Sequence, residues 1–92
     1  MVPATGLDAA TQAALVTRLK SIEGQARGIQ RMLEDGRDCQ AILDQLAALR
    51  AASHAASMQA LETFALHCLR ESPDAPEQVM SQFIGIVSKL TR

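Results

Sequence analysis

The chain predicts an all-α fold, a three-helix protomer with a long central helix, and three observations carry that reading. Its apolar residues are mostly Ala, Leu, Ile and Met, with no Trp or Tyr and with Phe64 and Phe83 as the only aromatics, a composition that favours helices over strands. Apolar positions recur at steps of three and four rather than two. From Cys39 to Arg70 neither Gly nor Pro interrupts the chain. With 92 residues there is room for one domain, spanning 1–92, at a size where the core is modest and self-association is a common remedy.

Residues Met1 to Gly6 carry Pro3 and Gly6 and read as a short frayed tail. From about Asp8, Leu15, Leu19, Ile22, Ala26, Ile29 and Leu33 mark one face of an amphipathic first helix. Gly36 closes it, since Gly just after the last periodic residue is the usual left-handed stop. Asp38 reads as the N-cap of a second helix with Cys39 in its first turn. The stripe Ile42, Leu46, Leu49, Ser53, Ala56, Ala60 follows a heptad seam, and a helix of this length draws its stability from packing along a partner. Ser72 and Pro73 end it. A third helix begins near Asp74 and runs through Val79, Phe83, Ile86, Val87 and Leu90, with Gly85 inside it at some cost in propensity.

No run reaches the roughly 18 apolar residues of a membrane span, and the first positions lack the order of a signal peptide. The expected location is the cytoplasm, where a cysteine pair points to metal binding or redox chemistry rather than a permanent staple. No acid, base and nucleophile converge, so an enzyme is not expected. The net charge of −1 excludes a generally cationic nucleic-acid binder, yet Arg18, Lys20, Arg27 and Arg31 face one acidic neighbour, Glu23, within a single stretch. Phosphate affinity depends on such a local field.

Cys39 and Cys68 lie 29 residues apart, roughly 43 Å along a helix rising about 1.5 Å per residue. A disulfide needs Cα atoms within about 7 Å. Chemistry joining these sulfurs therefore requires a second copy of the helix, antiparallel to the first. The dyad of such a pair falls between Ser53 and His54, inside the run from Ala51 to Ser57 whose small residues permit close crossing.

The stretch Arg18-Leu19-Lys20-Ser21-Ile22-Glu23-Gly24-Gln25-Ala26-Arg27-Gly28-Ile29, then Gly36-Arg37-Asp38-Cys39, then Ile42 to Arg50, resembles the CsoR/RcnR family of bacterial transcriptional repressors. The resemblance implies an antiparallel helical dimer, assembled into a homotetramer, that binds operator DNA and releases it when an inducer reaches a site between protomers. It also implies DNA contacts at Arg18 and Arg50; the local basic stretch adds Lys20, Arg27 and Arg31 as further phosphate partners.

The copper-sensing members of that family resemble a Cys on one protomer facing a His and a Cys four residues apart on the other. Here those positions are Cys39, Phe64 and Cys68, and phenylalanine offers a metal no lone pair. Asp38 stands where copper-sensing relatives tend to have Tyr. Histidines of the nickel and cobalt sensors are missing, and the formaldehyde-sensing FrmR type would need Pro3 nearer the N-terminus and a His at position 68. His67 is one step, about 100°, from Cys68 and points elsewhere; His54 lies near the dyad and reads as a packing residue. The remaining pattern is similar to the persulfide-sensing CstR type. Cys39, at a helix N-terminus beside Arg37, would attack a persulfide and Cys68 of a second copy would resolve it, with Phe64 shielding the pair. The expectation is a repressor induced by reactive sulfur, without a cofactor. A Cu(I) repressor using the two thiolates of Cys39 and Cys68, an FrmR-like aldehyde sensor and a helical interaction module without DNA stay open beside it.

Overall fold

The computed structural model describes residues 7–71 and 74–91, which form α1 (Ala9–Glu34), α2 (Cys39–Glu71) and α3 (Pro76–Leu90). The expected tail Met1 to Gly6 and the expected stop at Ser72 and Pro73 lie outside the described residues. Asp8 caps α1, its carboxylate accepting from the Thr11 amide at 2.6 Å, which satisfies one of the helix's unpaired N–H groups. At the far end Gly36 takes φ 66°, the left-handed region. Its amide donates to Leu33 O at 3.2 Å and that of Arg37 to Met32 O at 2.9 Å, the paired bonds of a Schellman stop.

Asp38 then starts α2: its Oδ2 accepts from the Ala41 amide at 3.3 Å. Cys39 is therefore the first helical residue, as expected. α3 starts at Pro76 rather than Asp74, because proline suits the first helical position and biases the residue before it, Ala75, away from helix.

α1 folds back antiparallel on α2, with the Thr11 and Thr63 hydroxyls 3.4 Å apart near the open end of the hairpin. α3 doubles back along the second half of α2, bringing Phe83 onto Phe64. The result is a plate of 57 × 29 × 13 Å, too thin to enclose a large core. Only Ile29, Ile42, Ala56 and Val79 are buried among the described apolar residues.

The expected α1 face is corrected in part, and the α2 stripe divides within the single chain. On α1, Ile29 is buried but Leu19 and Leu33 are exposed; on α2, Ile42 and Ala56 are buried and Leu49 and Ala60 half-buried, whereas Leu46 and Ser53 face outward. The reason is α2's composition. With alanines spread over more than half of its circumference, its surface divides into one strip against α1, one against α3 and one left open, rather than a single seam. Leu43, Leu66, Leu69, Met80 and Ile84 are each about half exposed or more, Met80 and Ile84 reaching 61%. No helix among the described residues is long and apolar enough to cross a membrane.

Candidate functional site

Both cysteines are free of disulfide bonds and stand near opposite ends of α2, Cys39 exposed and Cys68 half-buried. Twenty-nine residues at about 100° each make eight turns to within about 20°, so the two thiols share one face of α2. The chain thus sets two thiols on a common face of α2, too far apart along it to meet within one copy. Among the described residues, no group of three or more His, Cys, Asp or Glu side chains gathers as a metal site.

Phe64 shares that face one turn before Cys68. Its ring meets Phe83 edge to face, 5.7 Å between centroids and 67° between planes, an arrangement that aromatic quadrupoles favour. Ser57, Ala60, Ile86 and Leu90 continue the same seam around an apolar cleft of about 380 Å³. Phe64 is therefore a fastening residue between α2 and α3, and it leaves no lone pair on that part of the face. Asp38 is committed to the Ala41 amide and so positions Cys39 by starting the helix. His67 is half-buried, a step of about 100° from Cys68. His54 lines a separate cleft with Arg50, Ser53, Ser57 and Thr91.

The basic residues divide between two places. Lys20, Arg27 and Arg31 lie within about 40° of one another on α1, all exposed and turned away from the buried Ile29. Arg27 donates to Glu23 at 3.3 Å, with both side chains more than half exposed; such a pair contributes about 0.3–0.5 kcal/mol and leaves the guanidinium available. Arg18 lies about 200° from Lys20 around the helix and lines a cleft against α2 with Gln59 and Glu62. Arg50 stands on α2 beside His54. The sequence reading missed Gln59 and Glu62, since their place opposite Arg18 depends on the α1–α2 register, which no local motif encodes.

A family described as metal-sensitive transcriptional repressors matches residues 11–89. The copper-sensing transcriptional repressor CsoR of Bacillus subtilis (strain 168) is 39% identical over 80 residues, covering 85% of this chain and 79% of its own. The copper-sensing transcriptional repressor RicR of Mycobacterium tuberculosis is 36% identical over 52 residues, 56% of this chain and 54% of its own. Among solved structures, the copper-sensing repressor CsoR with Cu(I) from Geobacillus thermodenitrificans NG80-2 superposes with a TM-score of 0.83 at 34% identity, covering 100% of this chain and 95% of that one.

Proposed function

The chain belongs to the family of metal-sensitive transcriptional repressors, and from that premise we propose that it is an operator-binding repressor whose inducer is reactive sulfur, read by Cys39 of one copy and Cys68 of another. The observation that carries this reading is the seat of Phe64 against Phe83. With that ring between the helices, the soft donors on the sensing face of α2 are the two thiols.

The shared face of Cys39 and Cys68 suits an antiparallel pair of α2 helices. A register that sets Cys39 opposite Cys68 of the second copy also sets Leu43 opposite Phe64, Leu46 opposite Leu61 and Arg50 opposite Ser57. Leu43 and Leu46, 58% and 43% exposed in the single chain, would then be covered, and burial of apolar area is the main favourable term in association.

In the sensing step, the Cys39 sulfur attacks the terminal sulfur of a persulfide RSSH and expels RSH, which leaves Cys39 as a persulfide. The sulfur of Cys68 then attacks the inner sulfur and expels hydrogen sulfide. Two thiols and one RSSH become one disulfide, one RSH and one H₂S. If both cysteines are persulfidated first, the same displacement leaves a trisulfide. Bridging locks two α2 helices together, and repression is lifted to the extent that the locked form binds operator less tightly than the reduced form. Arg18, Lys20, Arg27, Arg31 and Arg50 supply the phosphate contacts.

A second reading, induction by Cu(I), is favoured by the copper-sensing relatives. The donors present fit a two-coordinate thiolate site but not a three-coordinate one, because Phe64 cannot serve as a ligand. An aldehyde sensor of the FrmR type would act through Pro3, which lies outside the described residues.

The test pairs intact mass spectrometry with binding to a DNA duplex selected by the reduced protein from a random-sequence pool. A persulfide donor should produce a covalent dimer, at the mass of a disulfide or one sulfur more, and release the duplex. Release by Cu(I) with the persulfide inert would overturn the sulfur reading. Failure to select any duplex in a salt-dependent manner would overturn the assignment of DNA contacts.

A further inference from the structure

The Oε1 atom of Gln59 is buried without a hydrogen-bond partner. A buried acceptor left unpaired is costly, and native folds satisfy nearly all of them, so this atom calls for a donor. The donor at hand stands on α1. Arg18 lines the same open cleft of about 660 Å³ as Gln59 and Glu62, between Met58 and Ala65 of α2. Its guanidinium carries five N–H donors, and the Glu62 carboxylate is an acceptor only. In the single chain Arg18 pairs with neither Glu62 nor Gln59, and neither Arg18 nor Glu62 forms an ion pair elsewhere among the described residues. Gln59 and Glu62 are three residues apart on α2, a spacing that puts side chains on one face, so one planar guanidinium entering the cleft meets both acceptors together.

We propose that Gln59 and Glu62 form an internal dock for the Arg18 guanidinium, holding it against α2 until operator phosphate draws it out. The inference rests on Arg18 being an operator contact. Gln59 and Glu62 are then positioning residues that touch no DNA themselves. Docked arginine cannot bind phosphate, so the apparent operator affinity is reduced by the fraction of time Arg18 is free. For a partly exposed pair this is a factor of a few, and salt weakens it.

The full-length reduced protein is titrated against the selected duplex at low and high salt, with wild type, Glu62→Gln, Gln59→Met, Arg18→Gln and the Arg18→Gln/Glu62→Gln double variant, each checked for helix content. Glu62→Gln and Gln59→Met should each tighten binding about threefold at low salt, the Glu62→Gln gain should fade at high salt, and it should vanish in the Arg18→Gln background. Should Gln59→Met lose helix content, Glu62→Gln and the double variant decide alone. A gain that persists without Arg18 would show a general charge effect and overturn the dock. No gain from Glu62→Gln, with Arg18→Gln binding weakly, overturns the dock while leaving Arg18 as an operator contact. Wild-type binding by Arg18→Gln overturns both.

Discussion

Removing the ring of Phe64 tests whether this residue fastens α3, as its contact with Phe83 implies. Truncating a fully buried Phe to Ala costs about 3–5 kcal/mol. Phe64 is half-buried beside an open cleft, so Phe64→Ala should cost about half of that, ~2 kcal/mol, of which the edge-to-face geometry accounts for ~1. In a chain of 92 residues, 1 kcal/mol moves Tm by about 4–8 °C, which predicts a fall of about 8–16 °C. The assay is thermal and urea unfolding followed by circular dichroism, with protein concentration held fixed because association adds to apparent stability. Phe83→Ala and the double variant complete a cycle whose coupling should be ~1 kcal/mol. A coupling within about 0.3 kcal/mol of zero would refute the view that these rings hold α3 in place. Phe64→His carries the functional half of the test. It returns a lone pair to the face of α2 that carries Cys39 and Cys68, and Cu(I) affinity measured by competition with a chelator should rise by roughly tenfold or more.

Three further outcomes follow from features described above. Cys39→Ser and Cys68→Ser should each fail to form a covalent dimer with a persulfide donor. An equal mixture of the two variants, unfolded and refolded together, should regain it through one intact site, visible on non-reducing gels. Gly24→Ala and Gly28→Ala meet nothing within 4 Å at the added Cβ, so each should raise stability by about 0.5–1 kcal/mol through helix propensity; lower urea midpoints would reveal a close contact outside the single chain. The Asp8 carboxyl is held below its usual range by hydrogen bonds from Thr11. Its stabilising contribution is present above the unfolded aspartate pKa and is lost as pH falls through the lowered folded value. Asp8→Asn should therefore flatten the acid limb of stability measured by urea unfolding, and an unchanged limb would remove Asp8 from that role.

Local signals carried much of this fold. Gly36 and Asp38 bound α1 and α2 through hydrogen bonds made within five residues, so their roles could be read from residue type and position. The spacing of Cys39 and Cys68 similarly needed only helix rise to exclude an intrachain bridge. Relations between helices were less accessible. The pairing of Phe64 with Phe83 depends on how α3 returns along α2, and the shared cleft of Arg18, Gln59 and Glu62 depends on the α1–α2 register. Which part of the α2 stripe meets α1 and which part stays open in the single chain was not legible, because alanine, small and apolar, marks no face of a helix. Arg18 was grouped with Lys20, Arg27 and Arg31 by proximity in sequence, whereas the 200° between Arg18 and Lys20 separates them on the helix.

The apolar side chains left open on α2 have a consequence for how abundance governs this chain. Under the pairing proposed above, Leu43 and Leu46 gain their burial energy only when another copy arrives, so dilution removes part of what keeps each copy folded. Under the association proposed here, the concentration that sustains repression also protects the chain from unfolding and proteolysis. A cell that lets the level of this protein drift below its dissociation constant for self-association would lose the molecules themselves as well as their occupancy of DNA.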